Sequence, residues 1–284
     1  MTQSTPDDAL HALAHKHLPE EVAERWIGLL RPSLRLGKDT GTGVGPVVGR
    51  LGGLPELPKD EEWPVWQGHG PLSFIASLDC ARLPSAALDI ALPAEGTLLF
   101  FFDGQLDDGL AAVAPHEPDS WAGARVRYVP AGISVAERAA PEGVRPYPEV
   151  PLTARVEATA PYLWHPVVYR EFAPMPDDHP LWHEDFQEAL WDHTEGTEHR
   201  IGGHATPVQD EVETEVARGV LGSPPWDDPR LKEEALRWVL LAQFDTDDDA
   251  DMMWGDAGAL YWLIRPADLA QRRFDRAMFT WQCG

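Results

Sequence analysis

Residues 242–258, AQFDTDDDADMMWGDAG, hold six aspartates in seventeen positions and could bind a cation. Asp245, Asp247, Asp249 and Asp256 occupy positions 1, 3, 5 and 12 of one window. This is the spacing at which the calcium loop of an EF-hand presents oxygen ligands. The four aspartates are therefore candidate metal ligands, with Ca²⁺ or Mg²⁺ as the cofactor.

Other features of the same segment depart from a true EF-hand. Position 6, where a glycine makes the sharp turn, is Ala250, and position 12 is Asp256 in place of the longer glutamate. The flanking residues also have the pattern of strands. We therefore predict a solvated loop between two strands, with Asp side chains that accept hydrogen bonds from the loop's own backbone. Cation binding with another geometry stays open as the alternative.

Large apolar side chains interrupt the acidic segment at Met252, Met253 and Trp254. We interpret them as filling the space between two halves of the protein. Soft apolar side chains beside acids also suit a peptide-binding patch. Met253, Trp254 and Asp256 are therefore candidate binding residues as well.

Two arginines, Arg50 and Arg200, each stand shortly before a pair of glycines. In an acidic protein such an arginine is expected to pair with a carboxylate, and Asp79 and Asp245 end the strands that follow. The alternative is a binding spot for an anion, formed by the arginine and the glycine amides. Both arginines are therefore candidate binding residues.

The histidines and cysteines give no complete catalytic or metal motif. The segment from 165 to 204 is rich in histidine, but it lacks the H-E-x-x-H pattern of zinc proteases. We interpret these histidines as surface or structural residues. The chain has two cysteines, Cys80 and Cys283, which we expect to be free thiols, and it has no G-x-S-x-G nucleophile motif.

The charge of the chain limits its partners. Forty-seven acidic residues against 23 basic ones give a formal net charge of -24. Such a field repels nucleic acids and anionic membranes and favours a basic protein partner. No apolar run is long enough to span a bilayer and no secretion signal is evident, so a cytoplasmic location is expected.

Periodicity predicts an α+β protein that is rich in β-strands. Residues 1–36 are expected to form an N-terminal helical extension, and residues 37–284 a single domain. Strands are expected at 71–79, 96–103, 238–245 and 258–264, and helices at 179–195, from Asp228 onward and from Pro266 to Arg272.

Three segments recur in the same order in two parts of the chain. GRLGGLPELP at 49–58 resembles HRIGGHATPV at 199–208, and FIASLD at 74–79 resembles LLAQFD at 240–245. Each is followed by a glycine and an aromatic strand. We therefore predict two pseudo-repeated lobes, about 37–150 and 196–284, that share one core.

The segments LGGLPELPKDEEWP, PLSFIASLDCARLP, LPAEGTLLFFFD and DMMWGDAGALYWLIRPADLAQRRFDRAMFTWQC together resemble the YwqG-like family of bacterial proteins. The resemblance covers about 51–283 and implies a compact, β-rich cytoplasmic protein of unknown function. It supplies no catalytic residues. Some relatives are encoded beside toxin and antitoxin-like genes, which implies a role in immunity or partner binding.

These observations lead to two hypotheses about function. The first is a non-enzymatic protein-binding factor, of the immunity or antitoxin-like kind, that holds a basic partner on an acidic face or in a cleft between lobes. The alternative is an enzyme or small-ligand sensor that depends on a divalent cation held by the aspartates of the 245–256 loop.

Overall fold

The computed structural model describes residues 6–38, 45–103, 113–194 and 199–284. The described strands are β1 (Arg31–Lys38), β2 (Val47–Leu51), β3 (Glu56–Pro58), β4 (Val65–Trp66), β5 (Gly70–Pro71), β6 (Ser73–Asp79), β7 (Thr97–Phe102), β8 (Ala124–Val129), β9 (Val135–Glu137), β10 (Val150–Thr159), β11 (His199–Gly202), β12 (Val239–Asp245), β13 (Ala259–Ile264) and β14 (Met278–Gln282). The described α-helices are α1 (Pro6–His17), α2 (Glu20–Ile27), α3 (Pro166–Phe172), α4 (Glu184–Thr194), α5 (Val212–Val220), α6 (Arg230–Ala235) and α7 (Pro266–Ala270).

One large antiparallel sheet organises the protein. Its ten strands run in the order β14-β13-β12-β11-β1-β10-β2-β6-β7-β8. The two short pairs β3-β9 and β4-β5 lie outside it. An antiparallel, β-rich sheet with separate helices agrees with the α+β class predicted from the sequence.

Strand β1 lies in the centre of this sheet. It pairs along its whole length with β10, from Arg31 opposite Thr159 to Lys38 opposite Leu152. Its other edge pairs with β11 through Leu34 and its neighbours. The domain boundary predicted at residue 36 therefore falls inside a central strand, and the division of the chain into two parts remains a prediction.

The strand order is symmetric about the β1–β10 pair. Strands β2, β6, β7 and β8 follow outward on one side, and β11, β12, β13 and β14 on the other. A pair of glycines with positive φ ends the innermost strand on each side, with angles of 58° and 73° at Gly52 and Gly53 and 68° and 73° at Gly202 and Gly203. These angles favour glycine because a side chain would be strained there.

The two sides of the sheet face one another across one apolar core. Phe100 of β7 packs against Phe244 of β12 and Trp262 of β13, with ring centroids 5.1 and 5.3 Å apart. Phe102 packs against Phe279 of β14 at 4.8 Å. These edge and tilted contacts are the arrangements that aromatic rings prefer. Residues of both sides therefore belong to a single buried cluster.

A second apolar cluster joins the N-terminal helices to the middle of the chain. Trp26 of α2 meets Phe186 of α4 edge-on, with centroids 5.3 Å apart. Leu10 of α1 is buried in the same cluster. Helices α1 and α2 agree with the helical segment predicted near the N-terminus, whereas residues 31–36 of that segment belong to β1. Both helices pack against residues near the middle of the chain.

One helix prediction needs correction, and one helix was missed. The helix expected at 179–195 is a 3₁₀ turn, Pro180–Trp182, followed by α4, because His183 is extended with φ −65° and ψ 131°. Helix α5 was not predicted. Among the described helices, none has the length and apolar character needed to cross a bilayer.

Candidate functional site

The acidic loop joins β12 to β13, as predicted, and the Asp247 side chain is buried within it. His199 Nε2 lies 3.2 Å from Asp247 Oδ2, and Lys38 Nζ lies 3.1 Å from the same oxygen. The Ala250 amide donates to Asp247 Oδ1 at 3.0 Å. Burial alone would raise the pKa of Asp247, but these donors outweigh burial and hold the pKa below its ordinary value.

The other predicted metal ligands serve separate purposes. Asp245 is half-buried and accepts a hydrogen bond from Gln243 Nε2 at 2.8 Å, and the loss of solvent around its carboxyl group raises the pKa of Asp245 to about 6. Asp249 is exposed and pairs with the ammonium group of Lys38. Asp256 is exposed, and its backbone oxygen accepts from the Gly284 amide.

Within the described residues, Asp245, Asp247, Asp249 and Asp256 form no group of three ligand atoms within 4.8 Å of one another. The Lys38 ammonium already supplies a positive charge between two of them. The geometry therefore favours the interpretation as a structural loop over that of a Ca²⁺ or Mg²⁺ site.

The apolar residues of this loop divide between core and surface. Trp254 is 0% exposed, and its ring meets Phe102 and Tyr147 with centroids 6.0 and 5.8 Å apart. Met252 is buried in the same cluster, whereas Met253 is 57% exposed. Trp254 thus has no exposed surface with which to contact a partner. Of the two candidate binding residues Met253 and Trp254, only Met253 could do so.

The sequence suggested that Arg50 pairs with Asp79, but the structure gives Arg50 other partners. Its Nη2 donates to the Leu54 carbonyl at 2.7 Å, and its Nε lies 3.4 Å from Glu149 Oε2. Asp79 pairs instead with Arg82, three residues further on. Both arginines and their carboxylate partners, Glu149 and Asp79, line a cavity of about 320 Å³.

Arg200 lies in β11, at the place that Arg50 has in β2, and is buried. Its Nη1 donates to the His204 carbonyl at 3.0 Å. Burial lowers the pKa of Arg200, and the charges of Glu157 and Asp245 oppose that effect. The predicted interaction with Asp245 is therefore electrostatic.

An anion site at the first glycine pair is not supported by the backbone. The Gly52 amide donates to the Ile75 carbonyl at 2.8 Å, and the Gly53 amide donates to the Tyr147 carbonyl at 2.9 Å. Both amides are thus used within the protein.

A larger cavity, of about 840 Å³, lies beside α3, α5 and α6. This volume is in the range of small-ligand pockets. Four aromatic side chains line it: Tyr162, Trp164, Tyr169 and Trp226. Four acidic side chains line it too: Asp210, Glu211, Asp227 and Asp228. We call this cavity the acidic aromatic pocket.

Two of these rings already carry cations of the chain. Lys232 Nζ lies 4.7 Å above the Tyr169 ring, and the Arg218 guanidinium carbon lies 4.7 Å above the Trp226 ring. Such contacts arise because the face of an aromatic ring is electron-rich. Trp164 and Trp226 remain 56% and 57% exposed, which is high for tryptophan.

A buried cluster of His165, Glu211 and Glu213 adjoins the pocket through Glu211. His165 precedes α3, and its Nδ1 accepts a hydrogen bond from the Val167 amide at 3.0 Å. Its Nε2 lies 3.7 Å from one carboxylate oxygen, Oε1, of each glutamate. Glu211 Oε2 accepts from the Thr214 hydroxyl, whereas Glu211 Oε1 is buried without a hydrogen-bond partner.

Electrostatics explains why this cluster is unusual. Burial, and the nearby Glu213 carboxylate, raise the pKa of Glu211 to about 8, although His165 opposes the shift. A carboxyl group that keeps its proton near neutral pH, beside a pocket, is a common feature of functional sites.

The cluster has the ligand types of a metal site, since its three ligand atoms lie within 4.8 Å of one another. The histidine argues against a metal, however. Nδ1 uses its lone pair to accept from Val167, so the proton of the neutral ring is on Nε2, which faces the carboxylates. A metal-binding histidine instead donates from its second nitrogen. His15, Glu20 and Glu24 form a second group, but they are exposed on the surface of α1 and α2.

Sequence reasoning did not single out Glu211 or Glu213. His165 was considered only among the scattered histidines. A signal for a helix was present in the acidic run DEVETE at 210–215, because Asp and Glu are enriched in the first turn of helices. Nothing in the sequence indicates that this run lies against His165.

The fold and the pocket define a β-rich protein with an acidic, aromatic cavity. The chain belongs to the family described as domain of unknown function DUF1963, whose model matches residues 49–283. Membership of a family of unknown function is thus confirmed, while the likeness to YwqG-like proteins remains a resemblance. A search of curated proteins found no match.

Proposed function

We propose that this chain is a non-enzymatic binding protein that holds a basic protein partner at the acidic aromatic pocket. The observation that carries the proposal is the combination of four carboxyl groups and four aromatic rings around one cavity. Carboxylates attract a lysine or arginine side chain, and aromatic rings bind its cationic group and its apolar stem.

The charge of the pocket supports a cationic occupant. Asp210 and Asp227 are exposed at its rim, and neither has an ion-pair partner among the described contacts. Asp228 pairs with Arg230, and Lys232 is the basic residue described in the lining. The lining therefore carries more acid than base, in keeping with the net charge of -24.

The exposed tryptophans support a protein partner over a small free cation. The Trp164 ring contacts the Trp182 ring, with centroids 4.8 Å apart and planes tilted by 30°, which extends the aromatic surface beyond the pocket. Tryptophan is enriched among the residues that dominate protein–protein binding energy. Exposed aromatic side chains beside an acidic cavity suit a basic segment with one side chain inserted.

The experiment compares wild type with Trp164→Ala and Trp226→Ala as immobilised baits. We expect the wild type to retain a basic protein that is released as salt is raised, since salt screens the attraction. The retained protein is then identified, purified and titrated against each variant. We expect both substitutions to weaken binding by about tenfold or more, as at binding hot spots.

Trp191→Ala is the matched control. Trp191 lies on α4, is 71% exposed and does not line the pocket, so its loss should leave binding unchanged. Equal affinity of the wild type and both pocket variants for the purified partner would contradict the proposal.

The same proposal includes an origin by duplication and a cytoplasmic, bacterial setting. Its support is the symmetric strand order and the matching roles of two arginines. Arg50 donates to the carbonyl of Leu54, and Arg200 donates to that of His204, four residues on in each case. Superposition of 47–102 on 199–264 tests the duplication, and unrelated backbone paths would contradict it.

A further inference from the structure

Glu211 lies where the acidic aromatic pocket meets the buried side chains of His165 and Glu213. We infer, building on the proposed function, that Glu211 binds the ammonium or guanidinium group of the partner's Lys or Arg side chain and releases a proton in doing so. The step forms no covalent bond. The proton leaves the Glu211 carboxyl group for solvent, and the partner's cation takes its place.

The first argument is the shortage of positive charge around two buried carboxyl groups. Glu211 and Glu213 are 6% and 4% exposed, and their oxygens lie within 4.8 Å of the His165 ring nitrogen and of each other. Among the described contacts, their ion pairs are with His165 alone. Two carboxylates this close cannot both ionise readily in a buried place without a cation.

The second argument concerns the charge on His165. Burial disfavours the charged ring, but the charge and hydrogen bond of Glu213 and the charge of Glu211 outweigh burial, so the pKa of His165 lies above its ordinary value. The Val167 amide donates to Nδ1, which leaves Nε2 as the nitrogen that faces the two carboxyl groups. His165 therefore supplies at most one positive charge for two buried carboxyl groups.

The third argument is the state of Glu211 itself. With at most one positive charge beside two buried carboxyl groups, one of the two retains a proton at neutral pH. Burial, and the nearby Glu213 charge, raise the pKa of Glu211 to about 8, which identifies it as that group. Its Oε1 is buried and has no hydrogen-bond partner, so an incoming cation would satisfy an acceptor that the folded chain leaves unused.

The charged and titratable groups around Glu211 come from three helices and the segment before them. They are Tyr162 before α3, His165 and Tyr169 at α3, Asp210 and Glu213 at α5, and Lys232 on α6. Behind His165, the His204 ring is buried, and burial lowers its pKa well below the ordinary value. Lys232 carries a full positive charge, and its ammonium lies over the Tyr169 ring. Arg31, whose charge lowers the pKa of His165 and of His204, is already paired with Asp89.

The test is calorimetric titration at pH 7 with a synthetic peptide of alternating lysine and glycine, in phosphate and in Tris. The difference in heat between the two buffers measures the protons released. We expect wild type to release about one proton per peptide bound. Glu211→Gln should bind about tenfold more weakly and release none, since it has neither the charge nor the acidic proton.

Glu213→Gln is the second variant. It removes the charge that keeps Glu211 protonated, so the peptide should still bind while proton release falls. Asp227→Asn, at the exposed rim, should retain proton release. The melting temperature of each variant shows whether it is folded.

The outcomes separate the two proposals. If the peptide binds wild type and Glu211→Gln with equal affinity and equal proton release, the role of Glu211 is overturned while partner binding stands. If wild type binds no peptide at low salt, both are overturned. Binding that weakens in Glu211→Gln together with loss of proton release supports the inference.

Discussion

Lys38, in the central strand β1, reaches the carboxylate of Asp247 in the loop after β12, with 3.1 Å between Nζ and Oδ2. The Asp247 side chain is 0% exposed and that of Lys38 is 35% exposed. The contact fastens the acidic loop to the centre of the sheet. It also gives the loop a cation from the protein's own chain.

Asp247→Asn should destabilise the fold by about 3 kcal/mol at pH 7, the magnitude typical of a broken buried ion pair. An amide would direct N–H groups toward donors on His199 or Lys38. The pKa of Asp247 lies below its ordinary value in the fold, so its contribution is present at neutral pH and is lost as the pH falls below about 4. Denaturant unfolding of both proteins at pH 7 and pH 3 measures this.

Asp249→Asn is the control for that experiment. Asp249 pairs with the same ammonium group, but its side chain is 68% exposed. Exposed ion pairs contribute about 0–1 kcal/mol, so this change should be small. Equal destabilisation by the two substitutions would contradict a special role for the buried carboxylate.

Added Ca²⁺ or Mg²⁺ should leave the melting temperature unchanged. The donors around Asp247 and the scatter of the other three aspartates give no ligand set for a divalent cation. Thermal unfolding with each ion, against a sample in EDTA, tests this. A rise that Asp247→Asn and Asp249→Asn together remove would restore the metal-binding alternative.

Glu215 should make the fold less stable as the pH rises. Burial raises its pKa from 4.5 to about 7, although hydrogen bonds from Thr280 and Gln282 oppose the shift. Between those pH values the unfolded chain loses the Glu215 proton while the folded chain keeps it, so unfolding becomes easier.

Glu215→Gln should therefore flatten the fall in unfolding free energy between pH 5 and pH 8. Denaturant curves at four pH values in that interval give the slope. Glu188→Gln, at an exposed position of α4, is the control and should keep the wild-type slope. Identical slopes for wild type and Glu215→Gln would refute the prediction.

Gly52→Ala should be far more damaging than Gly132→Ala. Both glycines have positive φ, 58° and 81°, which costs an alanine about 1–2 kcal/mol. A Cβ at Gly52 would lie 2.1 Å from the Pro148 carbonyl oxygen, whereas nothing lies within 4 Å at Gly132. The clash should add about 1–3 kcal/mol for Gly52→Ala. Unfolding in urea compares the two, and similar losses would show that the turn can move.

The strands that the sequence predicted well are those with unbroken apolar runs. FIASLD and TLLFFF are buried on both faces, so their composition alone indicates a strand. Helix α5 was not predicted, because acidic residues such as Glu211 and Glu213 at its start are typical of a solvent-exposed segment. A local pattern cannot show that these acids are buried against His165.

The acidic loop illustrates the opposite difficulty. Its spacing left a cation site open as the alternative to a solvated loop, and the sequence could not decide because the position of Lys38 depends on the pairing of β1 across the sheet. Likewise Arg50 lies beside Glu149 and Asp79 beside Arg82, and the Arg50 contact depends on residues that are distant in the sequence. Charge patterns identify which residues need partners, and the tertiary fold decides which partners they have.

The position of β1 has a practical consequence for anyone preparing this protein. The family match starts at residue 49, so a fragment trimmed to 49–283 would lack β1. Strands β10 and β11 would then each present an open row of backbone donors and acceptors in the middle of the molecule. We expect such a fragment to form insoluble aggregates when expressed.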